Sequence, residues 1–312
     1  MSELRKDYVL DRWVIINEKR GKRPHQFATK PRKDKDGFCF FCPGNEDTTP
    51  PETGRVEKNG KWLIRWFPNK FAALNEKGSG RQKESGILTS RNAFGSHEVI
   101  VETPSHSKQF YDLRVEHIAQ ILKVYTQRIL YHSGNKGIRY VSVFKNHGGS
   151  AGTSLKHSHS QLISLNKIPP MIHEKSRASI RKGKCLYCDV IRKESRTNRK
   201  IAVNGTCVAF APFASRYNYE AWVFPKRHVR SITEYTDKEY LDTAQLLKKI
   251  TLKLKKLQIA YNIFLHYVPK GKDMHFHIEV CPRKAIHAGF ELSTGIIINV
   301  VSPENAAEFY RG

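Results

Sequence analysis

The strongest constraint on this chain is an internal repeat, in which one ordered set of motifs occurs twice. Each copy begins with C-x-x-C and continues with a strand-like apolar run, a proline turn ending at a histidine, a helical stretch and a His-x-His pair. Self-similarity on this scale is typical of duplicated structural units. Short strands with one helix per copy predict an α+β module with a mainly antiparallel sheet. The fold must therefore accommodate two versions of one module, here named copy one and copy two.

The helical stretch of each copy is marked by apolar residues at helical spacing. In copy one Asp112 is the expected N-cap, and in copy two Thr236 and Glu239 form a capping box. Strands are predicted after these helices, at residues 139–144 and 262–268. The His-x-His pair of each copy is therefore expected close behind a strand.

The cysteines and histidines of each copy form a ligand set. Four of the six cysteines lie in C-x-x-C pairs, in a chain whose N-terminus lacks an apolar leader, so metal binding or thiol chemistry fits better than disulfides. Four nitrogen and sulfur ligands suit tetrahedral zinc and leave no open position, which indicates a structural metal. The competing explanation is buried thiols with unrelated histidines, and the duplication disfavours it. The predicted zinc ligands are Cys39, Cys42, His106 and His157 in copy one, and Cys185, Cys188, His228 and His275 in copy two.

The segment richest in chemistry is residues 144–161, in which three glycines precede the His-x-His pair of copy one. Glycines let backbone N–H groups approach an anion closely. Residues i and i+2 of a strand share a face, so His157 and His159 are expected to point the same way. A neutral imidazole is a competent nucleophile, and Gln161 can donate to a phosphoryl oxygen without moving a proton. The pattern predicts group transfer rather than hydrolysis; the alternative is a glycine turn before a histidine-rich core strand.

The net charge of the chain indicates which classes of binding partner are favoured. Lys plus Arg number 54 and Asp plus Glu number 29, giving +25, which favours phosphates, nucleic acid or a membrane surface. No apolar run is long enough to span a bilayer as a helix. Reduced cysteines indicate a cytoplasmic location. The basic residues are scattered and form no recognised nucleic-acid module, so a zinc-containing nucleic-acid-binding protein is the weakest of the alternatives.

Taken together, the motifs resemble the galactose-1-phosphate uridylyltransferase family of the histidine-triad superfamily. The resemblance covers essentially the whole chain and is carried by residues 13–24, 39–46, 69–74, 104–108 and 144–161 in the first half, and by 275–277 and 289–291 in the second. It implies two tandem histidine-triad-like modules, a catalytic one over residues 1–175 and a degenerate one over 176–312. Their mainly antiparallel sheets are expected to form a continuous half-barrel with the helices packed on one side.

The resemblance also implies a reaction. His159 would attack the α-phosphorus of UDP-glucose, and a hexose 1-phosphate, galactose 1-phosphate, would then take the UMP group in a ping-pong exchange. Gln161 is the second implied catalytic residue, zinc the implied cofactor, and a homodimer the implied assembly. The residues implied around the substrates are Arg20, Arg23, Asn69, Phe144, Asn146, Gly152, Ser154, Phe290 and Glu291.

Three departures leave the hexose and the base open. Ser158 stands between the two histidines, where the best-known members have proline, and this resembles a sister branch, the ADP-glucose phosphorylases. Phe290 replaces the usual tyrosine, and residues 292–296 lack a counterpart of the family's hexose-phosphate glutamine. An ADP-glucose or dinucleotide phosphorylase using the same histidine is therefore the first alternative. In copy two Glu279 replaces glutamine, so this copy is expected to act as scaffold.

Overall fold

The computed structural model describes residues 2–22, 38–77 and 82–312 of the chain. Its strands are β1 (Glu3–Lys6), β2 (Trp13–Ile16), β3 (Gly54–Lys58), β4 (Lys61–Pro68), β5 (Gln82–Ser85), β6 (Leu88–Arg91), β7 (His97–Val101), β8 (Tyr140–His147), β9 (His159–Leu165), β10 (Ile180–Arg181), β11 (Lys184–Cys185), β12 (Lys200–Val203), β13 (Cys207–Phe210), β14 (Ala221–Pro225), β15 (Tyr261–His266), β16 (His277–Pro282) and β17 (Ile297–Asn299). Its α-helices are α1 (Val115–Ser133), α2 (Pro170–Ser179), α3 (Leu186–Glu194), α4 (Asp237–Lys256), α5 (Gly289–Thr294) and α6 (Pro303–Arg311).

Ten of these strands form one sheet in the order β12-β13-β14-β16-β15-β8-β9-β7-β4-β3. Every neighbouring pair in it is antiparallel. The order is symmetric about the junction of β8 and β15, because each copy contributes five strands in mirrored sequence. The duplication seen in the sequence is thus expressed as two half-sheets joined at their centre. Strands β1, β2 and β17 form a smaller, separate sheet in the order β1-β2-β17.

Burial explains which segments became central strands. All five residues of β7 and all five of β14 are buried, and β8 and β9 alternate between buried and partly buried positions. Continuous apolar runs suit strands covered on both faces, and alternation suits strands with one partly open face. The apolar stripes of α1 and α4 pack against each other and join the same core cluster as the sheet. The open face of β8 and β9 is where polar residues of copy one are presented.

One predicted helix start is confirmed and one is wrong. Thr236 caps α4, with its hydroxyl accepting the N–H of Glu239 and the Glu239 carboxylate accepting the N–H of Thr236. Asp112 does not cap α1, which begins at Val115. It ends a short 3₁₀ helix instead, where its carboxylate accepts the backbone N–H of Gln109 at 3.0 Å. The sequence pattern could not separate a 3₁₀ turn from the first turn of the helix that follows it.

The two predicted strands are present with different ends. β8 runs on to His147 because it pairs with β15 as far as the His147–Tyr261 pair. β15 stops at His266, opposite His277, the first residue of its other neighbour β16. Strand ends are therefore set by the partner strand in both cases.

The structure confirms the α+β class and the continuous, mainly antiparallel sheet. The half-barrel curvature, the packing of all helices on one side and the histidine-triad identity of each half stay predictions. The division into 1–175 and 176–312 also stays a prediction; it falls within α2, and the sheet is continuous across the two halves. Among the described residues, no helix combines the length and apolar character needed to cross a bilayer.

Candidate active site and metal centres

His159, the proposed nucleophile, opens β9 and is buried. Its Nδ1 donates a hydrogen bond to the backbone carbonyl of His157 at 2.8 Å, which fixes the tautomer and leaves a lone pair on Nε2. Burial lowers the pKa of His159 to about 4, so the ring is neutral at pH 7. Nothing within the described part of the chain hydrogen-bonds to its Nε2. The imidazole is therefore held in the form that can attack an electrophile.

A buried charged network supports this strand from behind. The ammonium of Lys145 donates to the Glu102 carboxylate at 2.6 Å and to the His159 carbonyl at 3.0 Å. Burial by itself raises the pKa of Glu102, but Lys145 and the hydroxyls of Ser158 and Ser160 outweigh it and hold that pKa below its usual range. The result is an ionised, fully paired group beneath the nucleophile, as a buried charge requires.

Ser158, the residue between the two histidines, belongs to that network. Its hydroxyl donates to Glu102 at 2.6 Å, accepts from Lys145 at 3.1 Å, and is buried. Since neighbouring residues of a strand point to opposite faces, Ser158 faces the core while His159 faces the open side. The serine that suggested a sister branch therefore acts only through the strand it anchors.

The glycine loop between β8 and β9 forms a tight turn. Gly148 and Gly152 have φ of +83° and +85°, a backbone region that other residues rarely adopt. A Cβ on Gly148 would lie 2.7 Å from the Cβ of Ala260, so the turn also depends on close backbone approach. Gly152 and Ser154 are exposed on this loop. The N–H groups of Ala151, Gly152 and Thr153 donate to carbonyls within the loop, so an anion-binding role for the loop stays a prediction.

Gln161, Phe144 and Asn146 lie beside His159 on β8 and β9. Phe144 pairs with Gln161 across the two strands, and both are half-buried. The Gln161 Oε1 is 2.8 Å from His97 Nε2, and Asn69 Nδ2 is 3.1 Å from the same nitrogen. Sequence reasoning treated His97 as an ordinary residue. Only the register of β7 against β9 brings it to Gln161, so spacing along the chain carried no signal for it.

Three of the expected substrate residues lie on segments next to the small sheet β1-β2-β17. Phe290 is exposed and Glu291 half-buried on α5, where the Glu291 carboxylate accepts the N–H of Ala288 at 3.0 Å. Arg20 lies in the 3₁₀ turn Glu18–Lys22 that follows β2. The small sheet links these elements, because β17 follows α5 and pairs with β2. Within the described ranges no hydrogen bond or ion pair joins Phe290 or Glu291 to the His159 group. Arg23 lies outside the described residues.

The predicted ligand set of copy one is assembled in space. His157 Nδ1 lies 3.5 Å from Cys39 Sγ and 3.7 Å from Cys42 Sγ, and His106 Nδ1 lies 3.4 Å from Cys42 Sγ. His157 Nε2 donates to the Thr103 carbonyl at 2.7 Å, which leaves the Nδ1 lone pair for a metal. Zinc bonds of ordinary length at tetrahedral angles place sulfur and nitrogen about 3.6 Å apart. The donor set therefore fits a tetrahedral ion.

The set of copy two has the same geometry. Cys188 Sγ lies 3.3 Å from His228 Nδ1 and 3.4 Å from His275 Nδ1. The outer nitrogens are held by Asp273, 2.8 Å from His228 Nε2, and by the Pro225 carbonyl, 3.0 Å from His275 Nε2. Together with Cys185, the ligand atoms lie within 4.8 Å of one another. Both copies thus have a Cys₂His₂ group that is able to hold a metal.

A further group in copy two consists of buried titratable side chains that the sequence did not bring together. Lys175 Nζ lies 2.7 Å from His266 Nδ1 and 3.4 Å from His277 Nε2, and it also hydrogen-bonds to Glu279. Burial raises the pKa of Glu279, yet His266 and Lys175 together hold it well below its usual range. Copy two therefore contains an internal ion pair at its His-x-His motif.

Comparison with known proteins decides the family. Residues 1–169 match the sequence profile described as "Galactose-1-phosphate uridyl transferase, N-terminal domain", which is more than half of the 312 residues. The chain belongs to the galactose-1-phosphate uridylyltransferase family. The resemblance inferred from the motifs is confirmed. Residues 88–309 also match a profile described as "Domain of unknown function (DUF4921)".

Relatives of this family member carry two different names. ADP-glucose phosphorylase from Arabidopsis thaliana is 34% identical over 99% of this chain and 92% of its own length. Galactose-1-phosphate uridylyltransferase from Thermotoga maritima is 28% identical over 100% of this chain and 98% of its own. The crystal structure of an ADP-glucose phosphorylase from Arabidopsis thaliana with bound ADP-glucose superposes with a TM-score of 0.86 at 32% identity, covering 100% of this chain and 99% of that one. The family is thus established, and it includes relatives named as a phosphorylase and relatives named as a transferase.

Proposed function

We propose that the protein transfers a nucleotidyl group from a nucleotide sugar through a covalent bond to His159. Nε2 attacks the α-phosphorus, the bond to the bridging oxygen breaks, and sugar 1-phosphate leaves with the electron pair. A phosphate oxygen of the acceptor then attacks the same phosphorus and releases the histidine. The observation that carries the proposal is the Nδ1–H bond to the His157 carbonyl, which leaves Nε2 unprotonated in a neutral ring.

The surroundings of His159 support transfer rather than hydrolysis. Gln161 and Asn146 are carboxamides, which can stabilise charge on the transferred phosphoryl group without exchanging protons. Of the described residues that hydrogen-bond to Gln161 and Asn146, Asn262 and Thr153 are not bases, and both ring nitrogens of His97 already have partners, so none is placed to activate water. Positioning and electrostatics are what a phosphoryl-transfer site requires.

We further propose that both Cys₂His₂ groups hold zinc. The metal would supply no chemistry to the reaction, since four protein ligands leave no open position. The role of His157 is to tie the start of β9 to that metal centre, and this holds the neighbouring His159 in place. Burial and the adjacent Cys39 raise the pKa of Cys42 to about 11, so the Cys42 thiol stays protonated until a metal displaces its proton.

For the substrates, we propose ADP-glucose as donor and inorganic phosphate as acceptor, with ADP and glucose 1-phosphate as products. The relative named for that reaction is 34% identical, against 28% for the Thermotoga uridylyltransferase. The second candidate is the one that the sequence put first: UMP exchange between UDP-glucose and galactose 1-phosphate. The match to the uridyl transferase profile over residues 1–169 favours it.

The test is a matrix of donors and acceptors. The protein is incubated with ADP-glucose or UDP-glucose labelled at the α-phosphate, and protein-bound label is measured after acid and after base. A phosphohistidine-type bond is expected to be acid-labile and base-stable, and absent in His159→Ala. Release of that label by phosphate indicates the phosphorylase, and release by galactose 1-phosphate the transferase. If neither donor labels the protein while oligonucleotides bind in a salt-sensitive manner, the nucleic-acid alternative is favoured.

The residues remote from His159 suggest a shared site, and we propose a homodimer. Arg20, Phe290 and Glu291 flank the small sheet, and they would serve the active site of a partner subunit. Mixing inactive His159→Ala and Arg20→Ala proteins is expected to restore about a quarter of the activity, since half of the dimers would be mixed and contain one intact site. No restoration after confirmed subunit exchange would contradict the shared site. A cytoplasmic location also stays a prediction.

A further inference from the structure

We propose that His97 and Asn262 are positioning residues that set which end of two active-site carboxamides faces the reacting phosphorus. Each donates to the oxygen of one carboxamide, His97 to Gln161 and Asn262 to Asn146. The NH₂ group of each carboxamide is thereby turned toward the substrate side. This inference rests on the proposed function, which needs donors beside His159.

The tautomer of His97 follows from its neighbours. The backbone N–H of Ala73, which cannot turn over, donates to His97 Nδ1 at 3.3 Å, so we assign the lone pair to this nitrogen and the proton to Nε2. Asn69 Nδ2 lies 3.1 Å from Nε2 and, because it is also a donor, makes no hydrogen bond to it in this tautomer. Nε2–H then donates to Gln161 Oε1 at 2.8 Å. Burial lowers the pKa of His97, so the ring holds a single proton at neutral pH. The oxygen of Gln161 is therefore engaged, and its NH₂ group is the end available to a ligand.

Asn262 does the same for Asn146 from the other copy. The two residues are directly paired between β15 and β8. Asn262 Nδ2 donates to Asn146 Oδ1 at 2.8 Å and to the Ala151 carbonyl in the glycine loop at 2.9 Å. Both protons of its NH₂ group are used, so Asn262 cannot turn over without losing both bonds. A residue of copy two thus fixes the orientation of the Asn146 carboxamide in the copy-one site.

The consequence is electrostatic. As the nucleotidyl group moves, negative charge concentrates on the phosphoryl oxygens, and fixed donors stabilise it without reorganising. A carboxamide turned the other way would present its oxygen to that charge and oppose it. The His97 and Asn262 bonds exclude that second orientation. Loss of one such orientation should slow formation of the nucleotidyl-enzyme about 10-fold to 100-fold, in the range of losing one transition-state donor.

Two variants of His97 distinguish loss of the Nε2–H hydrogen-bond donor from a change in the shape of the side chain. His97→Gln keeps an N–H near the place of Nε2, whereas His97→Asn keeps only a group near Nδ1. In single-turnover labelling, His97→Asn is expected to lower the rate at saturating nucleotide sugar, while the nucleotide-sugar concentration for half-saturation changes little. His97→Gln is expected to recover most of the rate. Equal rates for the two variants, at equal melting temperature, would contradict the proposal.

A double-mutant cycle tests whether His97 acts through Gln161. In a Gln161→Ala background, His97→Asn is expected to cause no further loss, because its target is already absent. A loss as large as in the wild-type background would show that His97 acts otherwise. For the second pair, Asn262→Asp replaces the donor by an acceptor and should slow labelling by a similar factor. Asn204→Asp is the matched control and should leave the rate unchanged, since the Asn204 side chain bonds to Asp242 and Gln245 on α4 and to the N–H of Cys207 on β13, five strands from β9 in the sheet.

Nitrogen NMR of the histidine rings in the free protein measures which nitrogen of His97 has the proton, and this result does not depend on the proposed function. We expect His97 to have its proton on Nε2. A proton on Nδ1 would overturn the positioning role even if His159 becomes labelled. The expected tautomer without any labelling, from either donor, would refute nucleotidyl transfer and leave the orientation of Gln161 supported.

Discussion

The two copies place equivalent residues at equivalent points of the sheet, yet within the described residues only the second histidine of copy one has an Nε2 without a hydrogen-bond partner. The β8–β9 and β15–β16 registers match Asn146, His159 and Gln161 of copy one to His266, His277 and Glu279 of copy two. In both copies the second histidine donates its Nδ1 proton to the carbonyl of the first, at 2.8 Å and 3.0 Å. The tautomer alone therefore does not make an active site.

The difference lies in what faces Nε2. In copy two Lys175 reaches in from α2 and contacts all three equivalent residues, so His277 Nε2 faces an ammonium 3.4 Å away. Copy one also has a buried lysine, Lys145, but it lies on the opposite side of the strand and supports the His159 carbonyl. The two copies thus keep the same Cys₂His₂ arrangement, while one lysine changes what lies at the Nε2 of the second histidine.

The largest expected effect concerns the metal groups, in which the copies agree. Stripping zinc with a chelator should destabilise the fold by on the order of 10 kcal/mol, because the Cys₂His₂ groups lose their central bonds. Metal analysis of Cys39→Ser and Cys185→Ser should each show one site lost. Cys207→Ala is the control, since this buried cysteine belongs to neither set. An unchanged melting temperature after stripping would contradict a structural metal.

The next largest effect separates the two second histidines. His159→Ala should lower nucleotidyl transfer by at least about 1,000-fold, since the covalent intermediate can no longer form. His277→Ala should stay within a few fold of wild type in rate, because its Nε2 is occupied by Lys175. Acid-labile protein label provides the measurement. If both variants lost labelling equally, the asymmetry between the copies would be wrong.

Removing each buried lysine sharpens the same contrast. Lys175→Met leaves the buried carboxylate of Glu279 without its ammonium and should cost about 3–5 kcal/mol of unfolding free energy in urea. Its transfer rate should stay near that of wild type at a temperature where it is folded. Lys145→Met should lose both stability and rate, since Lys145 holds the His159 carbonyl. Lys193→Met, on the exposed face of α3, serves as control for loss of a lysine charge. A Lys175→Met protein as stable as this control would contradict the internal ion pair.

The smallest effect tests the junction of the copies. His147 of copy one stacks on Tyr261 of copy two, with ring centroids 4.7 Å apart. Burial, with a smaller contribution from Lys145, lowers the pKa of His147 to about 4. The unfolded chain then binds more protons between pH 6.5 and 4, so stability is complete above that range and falls as the pH decreases through it. This one group accounts for about 2 kcal/mol by pH 5. Urea unfolding of His147→Phe should show a flatter pH dependence; an identical slope would exclude this histidine as the cause.

Much of the site was accessible from local pattern. The eight candidate metal ligands were predicted from two C-x-x-C pairs and the histidines that follow, and the structure brings both sets together. The Nδ1 bond of His159 follows from two histidines at i and i+2 beside a strand. Arg20, Phe290 and Glu291 came from the resemblance alone, and in the described part of the chain no hydrogen bond joins Phe290 or Glu291 to the His159 group.

The sequence by itself determined the duplication, the ligand sets, the glycine loop and the candidate nucleophile, because these depend on residues close along the chain or repeated in the same order. The tertiary structure alone decided that His97 contacts Gln161, that Asn262 contacts Asn146 and that Lys175 contacts His277. These contacts depend on strand register and helix placement between distant segments. Hydrophobic periodicity fixes which face of a strand is buried, but only packing of the whole sheet fixes which partner lies opposite.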